Sequence, residues 1–197
     1  MQRVSLFVLL ATLTPILSCQ QSTKGSTTPK PDNGSFLENT YRNDFFGFSY
    51  QLPKDWHKRK MTPTPLPSGA YYLLIANRDT GHSLLNSLMI VADPESRYPA
   101  GLSEKEYLSG LIRAVVSQPH AEVVKEPSSC VWGGKEFYRA DYKQVNNGAT
   151  IYTSMVSTKR NGYWLNWQFM TPSQSDLEDA VNTLRNISFD HSSPQVR

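Results

Sequence analysis

"FYRADYKQVNNGATIYTSMVSTKRNGYWLNWQFM", residues 137–170, is the stretch that decides the fold. It contains three runs rich in aromatic and β-branched residues, a composition typical of β-strands. The three predicted strands are Phe137–Val145, Thr150–Thr158 and Tyr163–Met170. The connections Asn146-Asn147-Gly148 and Asn161-Gly162 favour positive φ, and Asn-Gly is the strongest short hairpin signal. The stretch therefore predicts an antiparallel meander.

The last strand of this meander has two different faces, because side chains alternate along a strand. One face carries the apolar set Tyr163, Leu165, Trp167 and Phe169. The other face carries Trp164, Asn166, Gln168 and Met170. Since this second face is only half polar, we expect another element to cover it as well.

Further strands are predicted on both sides of the chain's midpoint. The strong candidates are Phe46–Leu52, Ala70–Ala76 and Ser87–Ala92, and Glu122–Lys125 is a weak one. Pro53 ends the first strand, and the turn Pro53–Trp56 should return the Trp56 ring to the core.

Two amphipathic helices are predicted between and after these strands. Ser103 and Glu106 form a capping box, in which each side chain satisfies a free backbone N–H of the other residue. Apolar residues follow at helical spacing: Tyr107, Leu108, Leu111, Ile112, Val115 and Val116. The second helix opens at Thr171-Pro172-Ser173, and its inner stripe is Leu177, Ala180, Val181 and Leu184. Ile187–Phe189 then closes the domain.

These elements define the fold class as α+β, a mostly antiparallel sheet with two main helices packed on it. The globular domain is predicted at residues 39–190, and residues 191–197 form a tail. The net charge of +3 is too small for a nucleic-acid binder, which needs a concentrated basic face. The basic run His57–Lys60 is interpreted as a solvated strand end. The mean hydropathy of -0.46 argues against a polytopic membrane protein.

Residues 1–18 form a predicted signal segment with Arg3 at its basic start. Its apolar part, Val4–Leu17, would span roughly 21 Å as a helix, too short for a bilayer core of about 30 Å. It ends in Ile16-Leu17-Ser18-Cys19, which resembles the lipobox of bacterial lipoproteins. The resemblance implies cleavage between Ser18 and Cys19 and acylation of Cys19. The alternative is an ordinary secretory signal, although Ile16 fits its cleavage site poorly.

Residues 19–38 follow as the acylated cysteine and a tether. Their first part, QQSTKGSTTPKPDNGS, is rich in Ser, Thr, Pro and Gly and lacks aliphatic and aromatic residues. Such a composition buries too little surface to order itself. The implied localisation is an exported protein anchored by lipid to the bacterial cell envelope. Gln20 in place of Asp favours the outer membrane, if the host has one.

The order of elements resembles the PsbP-like superfamily. The opening Phe46-Gly47-Phe48-Ser49-Tyr50 with Leu52-Pro53-Lys54-Asp55-Trp56 and the closing Leu184–Phe189 carry this resemblance. It implies an α/β/α sandwich around an antiparallel sheet. Members of the superfamily are mostly accessory or binding proteins, many of them secreted or lipid-anchored. No metal-binding residue of that superfamily can be placed in this sequence.

Residues that could carry chemistry are scattered along the chain. The four histidines, His57, His82, His120 and His191, lack metal-ligand spacing, and no nucleotide-binding or nucleophile-elbow motif occurs. We predict no catalytic residue, no metal and no cofactor. With Cys19 acylated, Cys130 has no intramolecular disulfide partner. It is then a structural or incidental thiol, an intermolecular disulfide former or a catalytic thiol.

Three hypotheses about function stay open at the level of sequence. The first is a non-catalytic, lipid-anchored accessory or binding protein of the envelope, with the membrane and an envelope protein as partners. The second is an envelope hydrolase whose site is assembled only in space, and the third is a small-ligand carrier. An exposed aromatic platform could serve the first or third, and its candidates are Tyr71, Tyr72, Trp132, Trp164 and Trp167.

Overall fold

The computed structural model describes residues 30–31, 34–59, 65–78 and 86–190. The strands are β1 (Gly34–Leu37), β2 (Thr40–Asn43), β3 (Phe48–Gln51), β4 (Trp56–Lys58), β5 (Tyr71–Arg78), β6 (Ser87–Pro94), β7 (Ala121–Trp132), β8 (Lys135–Asn146), β9 (Ala149–Arg160), β10 (Tyr163–Thr171) and β11 (Ile187–Phe189). The helices are α1 (Glu104–Val116) and α2 (Gln174–Asn182), with short 3-10 turns at Glu95–Arg97 and Thr183–Asn186.

The strands form two antiparallel sheets. The larger sheet has the order β4-β5-β6-β10-β9-β8-β7, and the smaller has the order β1-β2-β3-β11. The predicted meander is confirmed as β8-β9-β10, with Val145 opposite Thr150 and Thr158 opposite Leu165. Its second turn takes φ of 51° at Asn161 and 76° at Gly162, the positive values that tight hairpins need.

One face of the larger sheet packs against the smaller sheet and α2. This core is rich in aromatic rings, and Trp167 lies at its centre with Phe48 and Phe137 at 5.6 and 5.5 Å between ring centroids. Trp56 is buried here as predicted, and so is the inner stripe of the second helix. Burial of these large side chains supplies most of the hydrophobic driving force, since each aromatic ring removes about 150–250 Å² from water.

The opposite face of the larger sheet is covered over β7, β8 and β9 by α1. Ser103 and Glu106 form the predicted capping box at the start of this helix. Tyr107 reaches further and stacks on Trp164 of β10, with ring centroids 4.4 Å apart and ring planes within 7°. The half-polar face of the last meander strand is therefore covered at Trp164 and Asn166, as the sequence indicated, while Gln168 and Met170 stay partly exposed.

The prediction of a simple sheet with two helices needs correction, because the described residues form eleven strands in two sheets. β7 runs over 12 residues where only a weak four-residue strand was predicted. Two register shifts and Pro127 break its alternation, which hides the strand signal in the sequence. β1 begins at Gly34, inside the segment predicted as a tether, and Phe36 packs on Tyr41 with ring centroids 5.3 Å apart.

Candidate functional site

A buried carboxylate at the end of β6 collects three donors between the larger sheet and α1. Asp93 lies opposite Trp164 and is 7% exposed. Arg97 donates from Nη1 to its Oδ1 at 2.6 Å, and Tyr107 donates its hydroxyl to Oδ2 at 3.2 Å. Tyr98 donates a second hydroxyl to Oδ2. The cluster thus connects the 3-10 turn, the helix and the sheet.

The tyrosines of this cluster act as hydrogen-bond donors. Burial, with the adjacent Asp93 charge, raises the pKa of Tyr107, and the same causes raise the pKa of Tyr98 to about 12. Both phenols therefore keep their protons at neutral pH. Tyr107 oxygen also accepts from Nδ2 of Asn166 at 2.8 Å. This arrangement fixes α1 on the sheet, and both carboxylate oxygens of Asp93 accept hydrogen bonds from protein groups.

A second charged group lies on the opposite face of the larger sheet, between β8 and α2. Arg139 donates to both oxygens of Asp141 at 2.9 and 2.8 Å and to both oxygens of Glu178 at 2.9 and 2.7 Å. The hydrogen bonds from Arg139 lower the pKa of Glu178. Arg139 thus forms a bidentate pair with each of the two carboxylates, and these pairs join α2 to the sheet. The guanidinium is engaged in holding α2.

Cys130 lies half-buried on β7, the edge strand of the larger sheet. Its Sγ lies 3.6 Å from the carbonyl oxygen of Phe137. Burial raises the pKa of the thiol to about 11, so the reactive thiolate is scarce at neutral pH. These observations favour a structural thiol over a catalytic one.

Within the described residues, neither His57 nor His120 forms a side-chain hydrogen bond or a salt bridge with another reactive group. His57 lies exposed on β4, and His120 lies exposed in the turn before β7 with φ of 63°. His82 and His191 lie outside the described residues. Among the described residues, no group of three or more His, Cys, Asp and Glu side chains has the geometry of a metal site.

The aromatic candidates are mostly used for packing. Trp164 and Trp167 are fully buried, so neither belongs to an exposed platform. Trp132 packs at 5.6 Å on the Phe137 ring, and Tyr71 packs at 6.3 Å on the Tyr163 ring. Tyr72 is half-buried on β5.

Two shallow cavities flank Trp56. The first, of about 200 Å³, lies between α2 and the ends of β4 and β5. Its charged lining residues are Asp55, Arg78, Asp176 and Asp179, and the Arg78 Nε bonds the Asp55 carboxylate at 2.6 Å. The second, of about 250 Å³, lies where β1 and β4 approach each other. Its lining includes apolar Phe36, Leu52 and Trp56 and polar Glu38, Asn39, His57 and Lys58.

Ser18 and Cys19, the predicted cleavage and acylation site, lie outside the residues that the structure describes. Within those residues, no helix is long and apolar enough to cross a membrane.

Sequence reasoning missed both charged clusters. Phe137, Arg139 and Asp141 follow one another at two-residue spacing, so they lie on the same, core-facing side of β8. Two charged residues at core-facing positions were the signal in the sequence that could have revealed this cluster. The cluster at Asp93 offered no local signal, since Tyr107 and Asn166 lie 14 and 73 positions further along the chain.

Together, the two sheets and the helices on opposite faces of the larger one define an α+β sandwich of the PsbP-like type. The structure of cyanobacterial PsbP (CyanoP) from Synechocystis sp. PCC 6803 superposes with a TM-score of 0.56 at 11% identity, covering 77% of this chain and 91% of that one. This likeness establishes the shared fold. LpqN of Mycobacterium tuberculosis, described as involved in cell envelope biogenesis, gives a TM-score of 0.46 at 14% identity over 82% and 88% of the two chains. No family model and no curated protein matches the sequence.

Proposed function

We propose that this protein is a lipid-anchored accessory or binding protein of the bacterial cell envelope. The observation that carries the proposal is the lipobox-like Ile16-Leu17-Ser18-Cys19 placed ahead of a PsbP-like domain. Acyl chains on Cys19 would hold the protein at the membrane, because each buried CH₂ contributes about 0.8 kcal/mol. The domain would then act by contact with a partner in the envelope.

The interior of the domain supports a role without catalysis. Asp93 and Arg139, the central charges of the two buried clusters, are engaged by neighbouring protein groups. The raised pKa of Cys130 disfavours a nucleophilic thiol. These groups stabilise the positions of α1 and α2, which is the use expected of a rigid binding scaffold.

Metabolic labelling tests the anchor directly. Cells that express the protein are fed an alkyne palmitate analogue, and membranes are separated from soluble material. We expect labelling and membrane retention in the wild type and in Cys130→Ala, and loss of both in Cys19→Ala. Labelling that survives Cys19→Ala would reject the anchor. Sucrose-gradient separation of inner and outer membranes tests the outer-membrane placement in a host that has both.

In-cell cross-linking tests the binding role. A photoreactive residue is placed at exposed positions of the domain, and cross-linked products are compared between the wild type and Cys19→Ala. We expect a discrete partner whose recovery depends on the anchor. Absence of any discrete product from every face of the domain would argue against a protein-binding role.

The cavity beside α2 favours a second candidate function, that of a small-ligand carrier. It lies between helix and sheet, and its polar lining would suit a small cationic or hydroxylated molecule. Native mass spectrometry of protein purified from envelopes should then detect a bound small molecule. The signal should disappear in Asp176→Asn/Asp179→Asn, which changes the charge of the lining, and persist in Glu104→Gln on α1. A native mass that equals the mass of the same protein after denaturation, acyl chains included, would reject the carrier.

A further inference from the structure

The tip of the β1–β2 hairpin exposes an aliphatic side chain to solvent. Leu37, the last residue of β1, is 80% exposed, more than Val131 and Val145, the other exposed large hydrophobics among the described residues. Glu38 follows it in the turn with φ of 53°, and the Leu52 N–H bonds the Asn39 carbonyl at 2.8 Å. The turn is thus fastened to the domain, and Leu37 is exposed by a defined backbone conformation.

Basic side chains border this hairpin. His57, Lys58 and Arg59 are exposed on and just after β4, and the Lys58 ammonium lies 4.5 Å above the Phe36 ring of β1. Among the described residues, no carboxylate forms a salt bridge with Lys58 or Arg59, unlike Arg78 on the neighbouring strand, which pairs with Asp55. These two cations are therefore available to an external anion.

The chain enters the domain at the end of the β1–β2 hairpin away from Leu37, since Asn43 lies opposite Gly34 and Leu37 lies opposite Thr40. The Pro31 carbonyl accepts a hydrogen bond from Asn43 Nδ2 at 2.8 Å, so the chain is tied to β2 at residue 31. Only 12 positions separate Pro31 from Cys19. A polar chain of that length has a root-mean-square span of roughly 20 Å. An acylated Cys19 would therefore keep the β1 side of the domain close to the bilayer, at an effective concentration in the millimolar range.

We infer that Phe36, Leu37, His57, Lys58 and Arg59, here named the β1/β4 edge, dock on the membrane that carries the anchor. This inference rests on the proposed lipid anchor and adds an orientation to it. Lys58 and Arg59 contact anionic phospholipid headgroups, and Leu37 inserts among them, as in interfacial proteins. Asp55, Asp176 and Asp179 line the cavity on the other side of Trp56 and would be repelled by the same anionic surface. Glu38 in the turn opposes docking and weakens it.

The test uses the full chain as isolated from the bacterial envelope and reconstituted with vesicles. Two variants, each in a Cys130→Ala background, carry an environment-sensitive fluorophore at a cysteine that replaces an exposed serine. Ser35→Cys lies on β1, and Ser129→Cys lies on β7, the opposite edge of the larger sheet. The vesicles are phosphatidylcholine alone or an equal mixture of phosphatidylcholine and phosphatidylglycerol.

We expect blue-shifted, brighter emission from position 35 on the anionic vesicles only, reversed by high salt, and no change at position 129. Each charge removed by Lys58→Gln or Arg59→Gln should lower the docked-to-undocked ratio about fivefold, from about 1 kcal/mol per basic residue. Lys105→Gln/Arg113→Gln on the outer side of α1 removes two positive charges, as many as Lys58→Gln and Arg59→Gln together, and should leave the ratio unchanged. Leu37→Asn should lower the ratio without changing its dependence on salt.

Flotation of the same samples separates this inference from the proposed anchor. Protein that floats with vesicles while positions 35 and 129 respond equally, or not at all, overturns the docked orientation and leaves the anchor standing. Protein that fails to float is not acylated, which rejects the anchor. In that case the emission of position 35 at high vesicle concentration still decides the inference, since a surface that recognises anionic lipid responds there and an ordinary solvated edge does not.

Discussion

The two faces of the seven-stranded sheet are held by different kinds of interaction. Toward the smaller sheet and α2, the core is a continuous set of aromatic and aliphatic side chains centred on Trp167. Toward α1, the buried apolar cluster is small, with Leu108, Ile112, Ala140 and Tyr142, and the stacked rings of Tyr107 and Trp164 lie apart from it. The polar cluster around Asp93 lies beside them and supplies directional hydrogen bonds.

The elements on the two faces of one sheet are thus positioned by two different kinds of interaction. Apolar packing stabilises in proportion to buried area and tolerates small shifts of the partners. Hydrogen bonds to a buried carboxylate require defined positions, so they determine where α1 lies. We therefore expect substitutions on the aromatic face to act on the whole fold, and substitutions on the α1 face to act on the helix.

The largest effect is expected from Trp167→Ala on the aromatic face. It removes ring contacts with Phe48 and Phe137 and leaves a cavity, which should lower the free energy of unfolding by about 3–5 kcal/mol. Urea denaturation followed by circular dichroism measures the loss. Val131→Ala, at a 68% exposed position, is the control and should change stability by less than about 0.5 kcal/mol. Equal losses in both variants would contradict the assignment of Trp167 to the core.

The next effect is expected from Asp93→Asn on the α1 face. The amide keeps the shape of the side chain but removes the charge that accepts from Arg97, Tyr98 and Tyr107. A loss of about 1.5–3 kcal/mol is expected, the range for hydrogen bonds to charged groups. Hydrogen exchange should quicken in α1 before it quickens in β3. Simultaneous loss of protection in both elements would mean that Asp93 supports the whole fold.

A smaller effect is expected at the two helix caps, which offer a matched pair. Ser103 Oγ accepts from the Glu106 N–H at 3.3 Å in α1, and Ser173 Oγ accepts from the Asp176 N–H at 3.1 Å in α2. Each change to Ala should cost about 1 kcal/mol. Hydrogen exchange should quicken more in α1 than in α2, because α2 is also held by Glu178–Arg139 and the aromatic core. Faster hydrogen exchange in α2 than in α1 would contradict the proposed difference between the two faces of the sheet.

The smallest effect is expected from the pH dependence of Glu178. Arg139 lowers the folded-state pKa of this carboxyl below its unfolded value. Its stabilising contribution is therefore complete above the unfolded pKa of about 4.3 and is lost as pH falls through the folded pKa. Since the side chain is 49% exposed, the contribution should stay below about 1 kcal/mol. Urea titrations should show the difference between wild type and Glu178→Gln at neutral pH and its loss in acid. A difference that grows in acid would contradict this sign.

The elements that sequence predicted correctly share one property, which is that their signals are local. The meander follows from Asn146–Gly148 and Asn161-Gly162, whose backbone preferences act within a few residues. The start of α1 follows from Ser103 and Glu106, three positions apart. β1 and β7 lacked such signals, since the first is short and the second has Pro127 and two register shifts.

The candidate site was much less predictable than the fold. Because the sequence holds no catalytic motif, the aromatic residues were the remaining candidates for a binding site. Of these candidates, Trp164 and Trp167 proved to be buried. The β1/β4 edge joins residues about 20 positions apart, and Lys58 reaches Phe36 only through the approach of the two sheets. Its charge was visible in the run His57–Lys60, but its apolar neighbour Leu37 was hidden in the predicted tether.

By itself, the sequence determined the strands of the meander, the capped start of α1, the burial of Trp56 and the α+β class, because hydrogen-bond geometry and side-chain period act over a few residues. The tertiary structure alone decided that β10 lies between β6 and β9, that Tyr107 and Asp93 meet beneath α1, and that Arg139 joins α2 to the sheet. These pairings depend on which distant surfaces bury most area together once the loops between them close. The balance between buried area and loop closure depends on the whole chain, so no single segment of the sequence determines these pairings.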